Sequence, residues 1–270
     1  ELFPSSQLGS KTDLVDQMQM GEGIIHIGDA SFWADYGAPE MSIASAPYIY
    51  DNWDQYFKLL ETDWWQSQVD LLAENGLRIV TSDWEYGTRE LMTTKPVRTL
   101  DDLSGMIIRT PNNVMQMKTW EEMGAAPTAM ALGDVYTATQ QGTIDGMENP
   151  IATLYGQAYY EVAKYITMID YIRMPVQWIT SESWFQSLTE EQQQILCEAG
   201  DEAGLFNNQK QDEMLEQYIS DMQASGVEII TPDDAEMARF KEAALKIYDN
   251  ADVTANWSDG LYENIRSMIS

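Results

Sequence analysis

Histidine and cysteine are almost absent from this 270-residue chain: each occurs once, as His26 and Cys197. A lone cysteine forms no internal disulfide, and without histidine pairs or cysteine clusters there is no zinc ligand set. A serine or cysteine nucleophile needs a nearby base, yet His26 sits inside Ile24-Ile25-His26-Ile27, which reads as a buried strand with a packed histidine. Cys197 falls within a long helical pattern and reads as a buried thiol. Basic residues are also scarce, 15 against 44 acidic, for a net charge of −29. That field repels phosphate backbones and excludes nucleic acid as a partner. Salt screens it beyond ~8 Å, so a buried cation can still hold a small anion locally. No apolar run approaches the ~18 residues of a membrane span. The chain opens at Glu1-Leu2-Phe3-Pro4 without a basic and apolar leader, so a signal peptide is expected to have been removed. Gly21-Glu22-Gly23 lacks the third glycine and the preceding strand of a dinucleotide loop, and no cofactor or metal is expected.

What is present is the composition of a globular protein, 44% apolar and 22% charged, long enough for one large domain or two lobes. Ser10-Lys11-Thr12-Asp13 has capping-box spacing before a first helix that Gly21 closes. Asn52 caps a helix carrying Trp53, Phe57 and Leu60. A second helical stretch runs to Glu74, Gly76 stops it, and Leu77 to Val80 reads as a strand. Thr99-Leu100-Asp101-Asp102 is another cap, followed by the strand Met106 to Arg109, a stop at Pro111 and a helix from Asn112 to Met123. A helix from Asp134 to Gln141 follows, then a strand over Val176 to Thr180. Thr189 to Gln192 opens an unusually long helix that runs without proline to Gly226. Val227 to Ile230 adds a strand, and Thr231-Pro232 open a last amphipathic helix. This alternation predicts an α/β fold with largely parallel sheets. There is no repeat, low-complexity tract or Gly/Ser linker, so two lobes would be joined by ordered strands or by the long helix.

Arg109 ends an apolar strand just before Thr110-Pro111, the carboxyl end of a strand being where open α/β sheets bind ligands. Its planar fork matches a carboxylate, although a surface or salt-bridged arginine fits the same pattern in so acidic a chain. Arg89, in Tyr86-Gly87-Thr88-Arg89, shares that ambiguity. Asn149 precedes Pro150, which biases its backbone toward an extended form. Trp33, just after Gly28-Asp29-Ala30-Ser31-Phe32, is the aromatic best placed to stack on a ligand. A carboxylate pair for glycoside hydrolysis remains open among so many acids, though nothing specific marks one.

The segments Gly105-Met106-Ile107-Ile108-Arg109-Thr110-Pro111, Met123-Gly124-Ala125-Ala126-Pro127, Asp134-Val135-Tyr136-Thr137-Ala138 and Asp145-Gly146-Met147-Glu148-Asn149-Pro150 carry, in order and spacing, a resemblance to a known family. It is that of the substrate-binding proteins of tripartite ATP-independent periplasmic (TRAP) transporters. Phe3-Pro4-Ser5-Ser6-Gln7-Leu8-Gly9, Gly87-Thr88-Arg89 with Lys95-Pro96, Tyr160-Glu161-Val162 and the long helix extend it over almost the whole chain. The resemblance implies two α/β lobes closing over a carboxylate, with the long helix spanning both. The expected lobes are 1–86 plus 175–212, and 87–174 plus 213–270. It also implies a bidentate salt bridge from Arg109 to the ligand, a second cationic contact from Arg89 and a hydrogen bond from Asn149. Met130 and Leu132 fall at pocket-wall positions, Leu132 in place of a frequent aromatic, and Ser31, Trp33 and Tyr171 complete the expected site. The resemblance implies a strand and helix ahead of the Phe-Pro segment, which are expected to be missing from this sequence. The implied function is non-enzymatic capture of a small organic acid anion (a dicarboxylate, sugar acid or oxo acid) by a periplasmic, monomeric protein for the membrane subunits of a TRAP transporter. A carboxylate-based enzyme and a ligand-sensing domain of the same fold are the alternatives.

Overall fold

Helix caps punctuate the chain where short polar residues precede apolar runs. Ser10 and Asp13 form a reciprocal capping box, and Asn52, Thr62, Asn113, Ser181 and Thr189 each accept a backbone N–H in the first turn of the helix they open. The computed structural model describes residues 1–3 and 7–270, so Pro4 to Ser6 of the resembling Phe3 to Gly9 stretch lie outside the described residues.

In chain order the elements are α1 (Lys11–Gln19), β1 (His26–Gly28), α2 (Ala30–Trp33), α3 (Trp53–Leu60), α4 (Asp63–Glu74), β2 (Leu77–Thr93), β3 (Ile107–Thr110), α5 (Val114–Glu122), β4 (Ala126–Ala129), α6 (Val135–Gln140), β5 (Gly146–Pro150), α7 (Ile151–Gly156), β6 (Tyr165–Ser181), α8 (Glu182–Ser187), α9 (Glu190–Ala224), β7 (Glu228–Ile230), α10 (Asp234–Leu245), α11 (Ala251–Thr254) and α12 (Leu261–Ile269). Seven strands form one sheet in the order β1-β6-β2-β5-β3-β4, with β7 also on β6. The sheet is mixed. Parallel pairing is confined to β3 with β4, β3 with β5, and β6 with β7, whereas β2 pairs antiparallel with both β5 and β6.

Several boundaries differ from the pattern in the sequence, each for a physical reason. The strands read at Leu77 to Val80 and Val176 to Thr180 are the ends of two 17-residue strands, β2 and β6. Register shifts at Ile79/Thr81, Thr81/Trp84, Glu85/Gly87 and Arg89/Leu91 break the two-residue alternation that would have revealed them. The stretch around His26 is an edge strand paired only to β6, with Ile25 37% and Ile27 43% exposed, so it is not buried as expected. Thr99 to Asp102 forms the expected capping box, on a four-residue 3₁₀ turn. The last long helix is capped by Asp233, whose carboxylate accepts from the N–H groups of Ala235 and Glu236, and not by Thr231. Cys197 is half-buried.

Three apolar cores lie along the sheet. The first gathers Val15, Trp33, Ile43, Tyr56 and Leu72; the second Leu103, Ile108, Trp120, Tyr171 and Phe240; the third Met92, Val135, Met147, Ile166 and Met222. Ile247, Leu261, Ile265 and Ile269 pack in the first core, so the end of the chain packs with residues from its beginning. The amphipathic face of α12 is what carries it back, burying its apolar residues at i, i+4 and i+8.

The long helix α9 has 35 residues, ~50 Å of rise, and runs along β2 to the third core. Near its start Gly200 and Gly204 lie against Thr81 and Trp84 of β2, and the Trp84 indole donates to the Gly200 carbonyl at 3.0 Å. Near its end Tyr218 stacks on Tyr155 at 4.6 Å and Met222 is fully buried. A Cβ at Gly204 would stand 2.7 Å from the Trp84 ring and 2.8 Å from the Asp83 carbonyl. Glycine to alanine inside a helix normally gains about 1 kcal/mol. Here overpacking against backbone reverses the sign, and Gly204→Ala is expected to lose about 1–3 kcal/mol in urea denaturation.

Between those glycines and the tyrosines, α9 clasps the bend of β2. Asn208 accepts from the Glu85 N–H at 2.9 Å and donates to the Asp83 carbonyl at 2.9 Å, while Asn207 donates to the Glu85 carbonyl at 3.0 Å. Burial, then the nearby Asp212 carboxylate, raises the Glu85 carboxyl from 4.5 to about 7. A raised folded pKa favours the folded state while the group is protonated, and that contribution is lost as pH rises from about 4.5 through about 7. Replacing Glu85 with Gln is therefore expected to flatten the decline in Tm across that window; parallel Tm curves for the two proteins would refute the assignment.

Candidate functional site

Strands β3 and β5 run parallel with Arg109 opposite Met147, which brings Arg109 and the end of β5 together at their carboxyl ends. Arg109 is 4% exposed. Its Nε and Nη2 both donate to the Met130 carbonyl, at 2.9 and 2.6 Å. That grip uses one long edge of the guanidinium and leaves Nη1 and the second Nη2 hydrogen as an end-on fork. Burial holds its pKa below the ordinary arginine value; Glu148 opposes that shift and Arg89 adds to it. It remains a cation.

Arg89 lies on β2 and has a different fate. Its Nε and Nη2 engage both carboxylate oxygens of Glu148, Nη2 at 2.7 Å, and Nη2 also reaches the Glu148 carbonyl at 3.1 Å. The Tyr171 hydroxyl donates to the same carboxylate. Arg89 is 5% exposed, and Glu148 and Tyr171 are fully buried. Arg89 and Tyr171, both expected at the ligand, are thus held by Glu148, a residue the sequence reading passed over. Its only signal was its place beside Asn149 in the Asp145 to Pro150 motif.

The pair Arg89 and Glu148 is neutral, so Arg109 is the net charge of this cluster. The comparison extends to the whole molecule: of seven arginines, Arg78, Arg89, Arg98, Arg173, Arg239 and Arg266 each pair with a carboxylate. Among the described residues Arg109 alone has no such partner. In a chain with 44 acidic residues, that exception marks the place where an anion from outside would complete the pairing.

Asn149 is 2% exposed; its Oδ1 accepts from the Tyr86 hydroxyl at 3.3 Å and its Nδ2 has no partner. Thr153 fixes Tyr86 in turn, donating to its oxygen at 2.9 Å. An orphaned buried donor costs about 1–3 kcal/mol unless a partner satisfies it. Met130 and Leu132 are half-buried, and both contribute carbonyls to the scaffold: Met130 orients Arg109, and Leu132 accepts from the Tyr159 hydroxyl at 3.0 Å.

Two further expected contacts spend their polar groups on the protein itself. Trp33 is fully buried in the first core, its indole N–H donating to the Gly28 carbonyl at 3.0 Å, so it is packing and not a stacking platform. The Ser31 hydroxyl donates to Asp29 and accepts from Asn113 at 2.7 Å, leaving no donor for a ligand. His26 packs edge-on against Trp33 at 5.7 Å, and burial, then Lys11, lowers its pKa to about 4. It is neutral and has no nucleophile bonded to it. Among the described residues no group of three or more His, Cys, Asp or Glu side chains is arranged to hold a metal ion. No described helix is long and apolar enough to cross a membrane.

The family model described as bacterial extracellular solute-binding protein, family 7 (DctP), matches residues 1–253. Among curated relatives, the sialic acid-binding periplasmic protein SiaP of Vibrio cholerae is 28% identical over 254 residues, 93% of this chain and 77% of that protein. Among solved structures, a TRAP periplasmic solute binding protein from Ochrobacterium anthropi with bound L-fuconate is 40% identical. It matches all of this chain and 87% of its own, with a TM-score of 0.93. Another, from Actinobacillus succinogenes with bound L-galactonate, is 32% identical, matches all of this chain and 87% of its own, and has a TM-score of 0.92.

Proposed function

The chain belongs to the family 7 bacterial extracellular solute-binding proteins, the two-lobed binding proteins of TRAP transporters, and from that premise we propose that its own ligand is a six-carbon sugar acid carried as a monoanion. The ligand carboxylate sits on the end-on fork of Arg109, and a ligand oxygen takes the free N–H of Asn149. The observation that carries this reading is the one arginine, among the described residues, without a carboxylate partner, on a strand paired with the one that bears an unpaired buried amide. The ligands of the two solved relatives, L-fuconate and L-galactonate, each combine one carboxylate with several hydroxyls, which is the chemistry these two groups accept. A neutral Arg89 and Glu148 pair beneath Arg109 leaves one positive charge to match, which favours a monoanion over a C4-dicarboxylate. The protein works by binding alone: the lobes close over the acid in the periplasm and the closed form docks on the membrane subunits.

Calorimetry with L-fuconate, L-galactonate, galacturonate and succinate tests the proposal. At 100 times its dissociation constant the true ligand adds about 2.7 kcal/mol of stability, visible as a rise in Tm. A sugar acid is expected to give that rise and succinate much less. Tighter binding of succinate than of every sugar acid would overturn the assignment, and sustained turnover of any of them would favour an enzyme.

A further inference from the structure

Asn149 is fixed through both its backbone and its side chain. The backbone lies in β5, paired with Glu90 of β2, and is followed by Pro150. Asn149 Oδ1 accepts from the Tyr86 hydroxyl at 3.3 Å, and that hydroxyl accepts in turn from Thr153, in the first turn of α7, at 2.9 Å. The approach depends on a glycine. A Cβ at Gly87, whose φ is +125°, would stand 2.8 Å from the Pro150 Cβ, so glycine is what lets the bend of β2 come this near the end of β5. A hydroxyl has one hydrogen to give. With Thr153 donating to the Tyr86 oxygen, the tyrosine hydrogen goes to Asn149, which meets it with Oδ1. A flipped amide would set an N–H against that O–H and lose the bond. The Nδ2 group, buried and without a partner, is thus turned away from Tyr86.

We infer that Tyr86 and Thr153 are positioning residues: they lock Asn149 as a hydrogen-bond donor, so that the ligand atom it meets must be an oxygen with a lone pair to offer. Neither residue has to touch the acid; both act through the orientation of one amide. An asparagine free to flip offers either N–H or C=O, and a ligand binds only the fraction of molecules that present the right group. Here that fraction is set before the ligand arrives, which removes the loss. Arg109 likewise offers only N–H groups, and donors on both residues suit the carboxylate and hydroxyl oxygens of a sugar acid. The run of bonds from Thr153 through Tyr86 to Asn149 also ends on an unused buried donor, whereas polar groups that serve packing alone are paired within the protein.

The inference deepens the sugar-acid reading and rests on it for its binding test. Thr153→Val keeps the side-chain shape but removes the donor, which leaves the Tyr86 oxygen free to accept from a flipped amide. In calorimetry with L-fuconate and L-galactonate it is expected to weaken binding about two- to tenfold, the factor by which the competent orientation is depleted. Thr153→Ser returns the hydroxyl and should restore the wild-type affinity. Tyr86→Phe removes the anchor itself and should weaken binding at least as much as Thr153→Val. The double variant should be little worse than Tyr86→Phe alone, since both act on the same amide. A readout without ligand separates the two ideas: nuclear Overhauser effects between the Asn149 side-chain N–H groups and the Tyr86 ring, in protein with labelled asparagine. They should be weak in the wild type and in Thr153→Ser, and grow in Thr153→Val. Unchanged affinity in both Thr153→Val and Tyr86→Phe, in protein that Arg109→Met still disables, would overturn the inference. So would a strong Overhauser effect in the wild type, or a loss in Thr153→Val that Thr153→Ser does not restore. Failure of wild-type protein to bind either acid would overturn the ligand reading, while the Overhauser effects would still decide the orientation of the amide.

Discussion

Replacing Arg109 with methionine is expected to weaken sugar-acid binding by about 2–5 kcal/mol, roughly thirty- to several-thousand-fold, with little change in the stability of the empty protein. The asymmetry follows from what Arg109 touches. Its protein partner is one carbonyl, that of Met130, so the substitution loses two hydrogen bonds but also removes a buried charge that no carboxylate compensates. These opposing effects are each of a few kcal/mol, and urea denaturation of ligand-free protein should show a net change of no more than about 1 kcal/mol. Binding has no such offset, because the ligand carboxylate would enter a buried site with nothing to pair with. Calorimetry checks the first half and denaturation the second. An unchanged affinity would remove Arg109 from the site, and a large loss of stability would make it a structural residue.

Arg89→Met is expected to do the reverse and destabilise the fold by about 3–5 kcal/mol, since it strands the fully buried Glu148 carboxylate without its partner. Binding should suffer as well, indirectly. Arg109 already feels the Glu148 charge, and an unpaired Glu148 would neutralise the cation meant for the ligand. Removing the whole network is expected to be milder than breaking it. The triple variant Arg89→Met, Glu148→Leu and Tyr171→Phe removes both charges of the pair and leaves no orphaned hydroxyl, and should recover most of the lost stability. If the single substitution leaves the urea midpoint unmoved, or the triple variant is no better than the single, the pair is not the structural element described. Two arginines that look alike in the sequence thus separate cleanly: one is paired with a carboxylate of the protein, and the other bonds only to a backbone carbonyl.

The order and type of most elements could be read from local chemistry, because caps and stops are made by residues within one turn of the helix they bound. Ser10, Asn52 and Thr189 opened helices as their spacing required, and Gly76 and Gly124, both at positive φ, followed helix ends. The motif around Arg109 identified the family, since fixed spacing along a chain survives without any knowledge of contacts. The lengths of β2 and β6 were hidden, because bulges shift the side-chain alternation and a polar stretch such as Asp83 to Glu85 is satisfied by α9, more than 110 residues away. So was the fate of each candidate side chain. Whether Arg89 or Arg109 was free depended on where Glu148 points, Trp33 turned inward onto Gly28, and Ser31 met Asn113 across 82 positions of chain. Motif spacing carried the family, and the alternation of elements the α/β class. Tertiary structure alone decided which cation stays unpaired, because charge compensation in a low-dielectric interior is settled by distances of a few ångströms between residues far apart in the chain.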